Sequence, residues 1–231
     1  MNTQKSSHKI LETQLKGFSS KEFISLWTAA QAILLHRNFK VSARIIFDEA
    51  CKMTGATSGY VALLSETGEE NEVLFLESGG KPCKVDHNLP MPIRGLRAES
   101  YFSGKAVYEN DFMNSQWLEF MPEGHVALKN VMFSPLNIEG KTVGIMGLAN
   151  KSHDFTENDA TIATAFGEIA AIALQNSRMM DQLNDTINKL EEFNETLVSR
   201  EMRIIEMKKE VNALCQELDK TAPYPEIWEE E

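Results

Sequence analysis

Hydrophobic residues at intervals of three and four predict two helices near the start of the chain. In the first, about residues 21–35, the apolar side chains form one stripe that we expect to be buried: Phe23, Leu26, Trp27, Ala30, Ile33 and Leu34. The second spans about residues 41–54 and ends before Gly55; its predicted buried residues are Ile45, Ile46, Ala50 and Met53. Residues 1–20 show no such period and are predicted to be flexible.

Shorter apolar runs predict an antiparallel sheet. Five runs are expected to form strands: residues 58–65, 72–77, 106–109, 131–138 and 141–149. The last two are joined by the tight turn Glu139-Gly140, and residues 141–149 are apolar on both alternating faces, which is typical of an interior strand. Pro135 lacks an N–H donor, so we expect a bulge or an unpaired position beside it.

Two segments rich in turn residues connect these strands. Residues 95–103 are predicted to form a short helix that ends at Gly104. Residues 110–126 are predicted to be mostly loop, with one helical turn at about residues 117–120. Because this loop leads directly into the two central strands, we expect it to cover a pocket at the sheet.

The C-terminal third of the chain has the pattern of one long helix. Thr156 is a favourable N-cap with Asp159 three residues later, and no glycine after Gly167 and no proline before Pro223 interrupts the helix. Beyond Asp181 the apolar period becomes seven. Of eleven seam sites nine are apolar, namely Leu183, Leu190, Phe193, Leu197, Ile204, Met207, Val211, Leu214 and Leu218. This pattern predicts a coiled coil, most simply a parallel homodimer.

These patterns divide the chain into four parts. We predict a flexible N-terminus at residues 1–20, a folded domain at 21–180, a coiled-coil helix at 181–220 and a disordered acidic tail at 221–231. The fold class is therefore α+β, with an antiparallel sheet flanked by helices and a long C-terminal coiled-coil helix.

Charge and cysteine content narrow the classes of function. The formal net charge is −11, and from Asp181 onward 14 acidic residues face six basic ones, which opposes binding to nucleic acid or to an anionic membrane. The longest apolar run, residues 23–35, is too short to span a bilayer, and no signal peptide is evident. Three scattered cysteines do not form a disulfide framework, so a cytoplasmic location is expected.

Few residues suggest chemistry. Gly140-Lys141-Thr142 ends like a phosphate-binding loop, but the required upstream glycine is Pro135, and the segment reads as a hairpin turn. His125 could line a pocket or ligate haem, or it could bond a backbone carbonyl. Cys83 could attach a chromophore or ligate haem, or it could be an ordinary thiol. No metal-ligand spacing and no catalytic motif is present in the sequence, so no catalytic or metal residue is predicted and the protein is not expected to be an enzyme.

Several short motifs together carry a family resemblance. They are Asn110-Asp111, Ser115, residues 121–125 (MPEGH), residues 133–136 (FSPL), residues 140–144 (GKTVG), residues 147–151 (GLANK) and residues 155–159 (FTEND). As a set they resemble a GAF domain, most similar to those of sensor histidine kinases, over about residues 41–178. The helix that follows resembles the helical linkers that join sensor modules to their outputs.

The resemblance implies an antiparallel sheet of about six strands with helices on its faces. It also implies a small ligand, where one exists, between the sheet and the loops. Candidate ligand-binding residues on this basis are Asp111, Met113, Trp117, His125, Met132, Ser134 and Met146.

The expected function is a non-catalytic sensory module that binds a small ligand. Its state would pass through the dimeric coiled coil to a signalling partner such as a histidine kinase. No cofactor is required by this hypothesis. One alternative is a haem or redox sensor that uses His125 or Cys83, and another is a dimerisation scaffold without a ligand.

Overall fold

The structure is a computed structural model that describes residues 19–82, 84–86 and 89–224. The chain divides into two compact units, one ending at Arg178 and one starting at Met179. The predicted flexible N-terminus lies outside the described residues up to residue 18.

Two helices open the first unit, and each has a side-chain cap. Helix α1, Ser20–Leu35, begins with a reciprocal capping box between Ser19 and Glu22. Helix α2, Phe39–Thr54, begins where the Asn38 side chain accepts a hydrogen bond from the Val41 N–H, and it ends at Gly55, whose φ is 78°. These caps fix both helices within a few residues of the predicted bounds.

The sheet has five antiparallel strands in the order β2-β1-β5-β4-β3. Their bounds are β1 Ser58–Leu64, β2 Asn71–Glu77, β3 Val107–Glu109, β4 Val131–Ile138 and β5 Lys141–Ala149. Helix α3, Leu96–Ser103, and two 3-10 turns, Phe112–Asn114 and Gln116–Phe120, lie between β2 and β4. The predicted α+β class is confirmed, and β5 is an interior strand as its two apolar faces indicated.

One face of the sheet packs against the helices. Fully buried side chains from alternate positions of the central strands meet aromatic residues of α2 and of the last helix there, namely Met132, Leu136, Met146, Leu148, Phe47 and Phe166. Burial of large apolar side chains at about 25 cal/mol per Å² supplies most of the folding free energy, and this layer holds most of it. The other face carries Tyr60 and Phe133, which are partly exposed.

Helix α1 buries a different face from the predicted one. Phe23, Trp27 and Leu34 are 57%, 57% and 84% exposed within the chain, whereas the small residues Ser25, Ala29 and Ala32 are buried. Small side chains let the backbones of α1 and α2 approach closely, and the Ser42 hydroxyl donates to the Ala32 carbonyl at 3.2 Å. Phe23, Trp27 and Leu34 therefore face outward, whereas Leu26 and Ile33 of the predicted stripe are partly buried against the core.

The last helix, α4, is Glu157–Glu217. The predicted cap is present, since the Asp159 carboxylate accepts from the Thr156 N–H at 2.8 Å and Asp159 N–H bonds the Thr156 hydroxyl. Lys151 also pairs with the same carboxylate at 2.6 Å, and both side chains are largely buried. The start of α4 is thus fixed by one carboxylate that serves three donors.

In the second unit α4 exposes most of its predicted seam. Leu183, Leu190 and Phe193 are 52%, 62% and 62% exposed within the chain. After the helix ends at Glu217, Asp219 has a φ of 53° and the Lys220 N–H donates to the Cys215 carbonyl. The pairing of two helices stays a prediction.

The chain after α4 turns back along the helix. Asn212 and the Tyr224 backbone exchange two hydrogen bonds of 2.9 and 3.1 Å, and Lys208 lies over the Tyr224 ring. Residues 221–224, predicted as part of a disordered tail, are therefore folded onto the helix. Residues 225–231 of that tail lie outside the described residues.

A glycine marks the closest approach of α4 to the sheet and gives the first testable prediction. A Cβ at Gly167 would lie 2.6 Å from the Pro135 carbonyl oxygen and 2.8 Å from the Ser134 hydroxyl. A glycine-to-alanine change inside a helix ordinarily stabilises by up to about 1 kcal/mol. Gly167→Ala should instead lower the free energy of unfolding by about 1–3 kcal/mol, because backbone must move to admit the methyl group.

Denaturant unfolding would measure this difference. Glu168→Ala, at the exposed neighbouring position, is the matched control and should change the free energy of unfolding by less than about 0.5 kcal/mol. A stabilised Gly167→Ala protein would contradict the packing described here.

Candidate ligand-binding site

The floor of the candidate site is a row of three residues across the central strands. Gly147 of β5 pairs with Tyr60 of β1 on one side and Phe133 of β4 on the other. The two rings close over the glycine, with centroids 6.2 Å apart. A Cβ at Gly147 would lie 2.8 Å from the Tyr60 ring, so glycine allows this aromatic floor to form.

A cavity of about 220 Å³ lies above this floor. Its walls are the first turn of α3, the segment 89–92, and a lid that we define as residues 111–129. The lid places Trp117, Phe120 and Leu128 against the cavity. A smaller hollow of about 70 Å³ adjoins it and shares Tyr60 and Phe133. The volume is below the roughly 300 Å³ at which sites for drug-sized ligands begin, so it suits a small molecule better than a macrocycle of haem's size.

The lid is ordered by its own local bonds. Ser115 caps the second 3-10 turn by accepting from the Trp117 N–H at 3.2 Å, and its hydroxyl donates to the Phe112 carbonyl. The rings of Trp117 and Phe120 lie 6.5 Å apart on the cavity side. Gly95 at the opposite wall allows Phe120 to approach, because a Cβ there would lie 2.9 Å from that ring.

Most of the lining is apolar, and its charged residues are few. Arg94 and Arg97 project from the start of α3, and Asp86 lies on the neighbouring segment. The Arg97 guanidinium donates to the Tyr60 hydroxyl at 3.3 Å. Arg94 lies 5.9 Å from the centre of the Phe120 ring. Among the described lining residues, two arginines against one aspartate leave one net positive charge in a protein whose formal net charge is −11.

A buried hydrogen-bond chain supports the segment 89–92. The Tyr101 hydroxyl donates to the Asn71 side-chain oxygen at 2.6 Å, and the Asn71 amide donates to the Met91 carbonyl at 3.2 Å. Burial raises the pKa of Tyr101 above its usual value, so its hydroxyl stays protonated and keeps donating. This wall is therefore held by bonds that do not use the cavity's own polar groups.

The predicted site residues separate into three groups. Trp117 and His125 line the cavity. Asp111 and Met113 belong to the lid but lie outside the cavity lining; Asp111 accepts hydrogen bonds from Asn114, and Met113 is 37% exposed. Whether any of these residues binds a ligand stays a prediction.

The third group lies on the helix-facing side of the sheet, away from this cavity. Met132, Ser134 and Met146 are fully buried against the helices, and the Ser134 hydroxyl donates to the Ala163 carbonyl of α4 at 2.8 Å. Strand residues alternate between faces, so Phe133, between Met132 and Ser134, is the one that reaches the cavity. These three residues therefore lie away from this cavity, whose lining includes Tyr60, Arg97 and Phe133.

Of the two residues predicted for the haem or redox alternative, His125 is described and Cys83 is not. The His125 Nδ1 lies 2.8 Å from the Val126 carbonyl oxygen. A bond from His125 to a backbone carbonyl was one of the two roles that the sequence allowed for this residue. Cys83 lies outside the described residues. Burial raises the pKa of Cys51 to about 12, which makes that thiol unreactive. Among the described residues no three His, Cys, Asp or Glu side chains cluster as metal ligands.

Two asparagines, the half-buried Asn110 and the buried Asn130, join the ends of the lid to the connector that precedes α4. Asn110, just before the lid, exchanges hydrogen bonds of 2.7 and 3.0 Å with the Phe155 backbone. Asn130, just after it, donates to the Lys151 and His153 carbonyls and accepts from the Lys151 N–H. The lid and the start of the long helix are thus fastened to each other at two points.

A model of the GAF domain family matches residues 36–175. The chain belongs to the GAF family. The match covers the whole sheet and all of the segments that form the cavity walls, and it ends inside α4. The floor, the lid and the two asparagine attachments are therefore parts of a GAF domain.

Relatives share this domain at low identity. The methyl sulfide methyltransferase-associated sensor of Methanosarcina acetivorans is 24% identical over 170 residues, which are 71% of this chain and 17% of that protein. The chain thus spans about a sixth of that relative's length. In the described part of the chain no helix has an apolar stretch long enough to cross a membrane.

Solved structures show the same fold. The GAF domain of a phosphoenolpyruvate-protein phosphotransferase from Coxiella burnetii has a TM-score of 0.60 at 15% identity, covering 71% of this chain and 99% of that one. A free methionine-R-sulfoxide reductase from Neisseria meningitidis, solved with its substrate, has a TM-score of 0.57 at 14% identity, covering 71% and 96%. Because a sensor and an enzyme both resemble this GAF domain, the fold alone does not assign its activity.

Asn130 gives a stability prediction for this GAF domain. Asn130→Asp keeps the shape and the acceptor but turns two donated hydrogen bonds into contacts between a carboxylate and two carbonyl oxygens. Unpaired buried groups cost about 1–3 kcal/mol each, so the free energy of unfolding should fall by about 3 kcal/mol. Denaturant unfolding would measure the loss.

The matched control is the same substitution at an exposed site. Asn158→Asp, in the first turn of α4, should change stability by less than about 1 kcal/mol, since a negative charge is tolerated at a helix N-terminus. Equal losses in the two variants would contradict the attachment role of Asn130.

Proposed function

We propose that this GAF domain is a non-catalytic sensor that binds a small ligand in the lid cavity and relays its state through α4. The observation that carries the proposal is the double attachment of the lid to the connector at residues 150–156. Any ligand that orders the lid acts on Asn110 and Asn130, and through them on the first turn of α4. A ligand shifts a conformational equilibrium only by the difference in its affinity for the two states.

The cavity also favours a ligand over a scaffold that binds nothing. Trp117 lines it without filling it, and about 220 Å³ stays open above an aromatic floor. Apolar concave sites with a few convergent polar groups are the usual form of a small-molecule site. Among the charged lining residues that the structure describes, none forms a pair suited to acid–base catalysis, and the relative from Methanosarcina acetivorans is named a sensor.

The proposed output is a partner that reads the long helix. We propose a parallel homodimer through the nine apolar seam residues, with a cytoplasmic signalling protein such as a histidine kinase as the recipient. In support, Leu197 and Leu214 are 43% and 52% exposed in the single chain, and a second copy would cover them.

Native mass spectrometry tests the ligand part of the proposal. Protein purified without denaturation should carry a mass above the 26.0 kDa chain that is released by acid. Met121→Trp should abolish this added mass, because Met121 lines the cavity and a larger ring would occupy it. Met113→Trp, on the same lid but outside the lining, should retain it.

Hydrogen exchange on the same samples tests the relay. Loaded protein should exchange more slowly than stripped protein in the lid and also in residues 151–165. Slower exchange confined to the lid would contradict the relay while leaving ligand binding intact. Equal loading of both tryptophan variants would contradict the cavity as the site.

Light scattering tests the dimer with a matched pair of variants. The wild type should have twice the 26.0 kDa chain mass. Leu197→Glu places a charge in the seam and should give monomer at micromolar concentration. Val198→Glu lies one residue off the seam at 50% exposure and should stay dimeric. A monomeric wild type would exclude the paired helices.

A further inference from the structure

Two hydrogen-bond donors meet at the cavity with too few acceptors. The Arg97 Nε is buried, and among the described residues it has no hydrogen-bond partner. One of its terminal nitrogens donates to the Tyr60 hydroxyl oxygen at 3.3 Å, a long bond. That hydroxyl still has its own proton to donate. Both residues line the cavity, so an acceptor bound there would lie beside the Arg97 guanidinium and the Tyr60 hydroxyl.

A buried N–H without a partner destabilises the protein, which makes its position informative. An unsatisfied buried donor costs about 1–3 kcal/mol, and native proteins keep few of them. Tyr101, nearby, shows the contrast, since its hydroxyl donates to Asn71 at 2.6 Å. Among the described residues the Arg97 Nε is thus left without a partner, while the Tyr101 hydroxyl is bonded. An acceptor from outside the chain would complete the Arg97 set.

The charge of the lining selects the kind of acceptor. Arg94 and Arg97 outnumber Asp86 by one positive charge, which matches a single negative charge better than two. The guanidinium presents paired N–H groups that fit the two oxygens of a carboxylate. Around these groups the lining is aromatic and aliphatic, with Phe133, Trp117 and Leu76 among its members. The ligand must therefore combine one anionic group with an apolar body.

We infer that the cavity binds a small apolar monocarboxylate, whose carboxylate accepts from Arg97 and from the Tyr60 hydroxyl. This inference rests on the proposed function and names the chemical class of the ligand. The apolar body lies between the Phe133 floor and Trp117 of the lid. The ligand thereby joins α3 to the lid, whose ends are fastened to the start of α4.

Isothermal titration calorimetry on the full chain tests the inference with matched probes. The acids are phenylacetate and hexanoate, and each is compared with its neutral amide. Benzylphosphonate supplies a double charge and 2-phenylethylammonium a positive one. At least one acid should bind about tenfold or more tightly than its amide, the difference expected for a charge-assisted bidentate contact. The phosphonate should bind more weakly than phenylacetate, and the ammonium should not bind.

Variants assign the preference to the named groups. Arg97→Met should abolish the preference for the acid over the amide, and Arg97→Lys should restore only part of it because the planar fork is lost. Tyr60→Phe keeps the ring and should weaken acid binding by about threefold to tenfold. Arg37→Met, at an exposed position between α1 and α2, is the control and should match the wild type. The thermal unfolding temperature without probe should change little in Arg97→Met, because the loss of the long bond to Tyr60 is offset by removal of the unpartnered buried Nε.

Each remaining outcome decides against the inference in a distinct way. Equal binding of acids and amides, or an unchanged preference in Arg97→Met, overturns it. If the phosphonate binds more tightly than phenylacetate, the monocarboxylate inference fails and a phosphate ester becomes the favoured ligand class. If no acid binds while native mass spectrometry finds a neutral or cationic molecule, this inference fails and the proposed function stands. If no probe binds and nothing is retained, both fail.

Discussion

The buried side-chain amide of Asn130 is the interaction on which the rest of this domain depends. It stands between the lid and β4, and its three hydrogen bonds hold the connector after β5. Without it the Lys151 and His153 carbonyls would lose their Asn130 donor, and the connector that leads to α4 would lose these attachments. The same amide therefore stabilises the fold and joins the cavity to the helix. If the proposed relay holds, one group serves both purposes, and stability and signalling are not separable at this residue.

In the sheet, the residues that pack the core and the residues that line the cavity lie on opposite faces. Its helix-facing side, with Met132 and Met146, is fully buried and is packed by α2 and α4. Its other side carries Tyr60 and Phe133 over Gly147, where the chain leaves space. Alternation of side chains along each strand makes this division possible, because neighbours one residue apart serve different layers. Substitutions on the cavity side should therefore alter binding with smaller effects on folding.

The elements were predictable from the sequence because they depend on local period and capping. Thr156 and Asp159 fixed the start of α4, and the apolar runs located all five strands. The facing of β4 was not predictable, because residues on both of its faces are apolar and only the chain's path decides that Phe133 faces the lid. The buried face of α1 was mispredicted for a related reason. Large apolar residues suggest burial, but the close contact with α2 buries the small residues Ala29 and Ala32. Arg97 and Asn130 carry no sequence signal, since their roles come from partners far away along the chain.

Placing the ligand between α3 and the lid has a consequence for how a signal could leave. Arg97 belongs to α3, which precedes β3, whereas Trp117 belongs to the lid. A molecule that contacts both restrains the lid relative to the sheet, and the lid's two ends are bonded to residues 151–155. The carboxylate of Asp159 then carries the restraint into the first turn of α4 through its bond to Lys151. From the ends of the lid to Asp159, each contact in this path is a polar contact within one folded unit. In the proposed relay, a small ligand therefore needs only to favour one lid position to bias the helix.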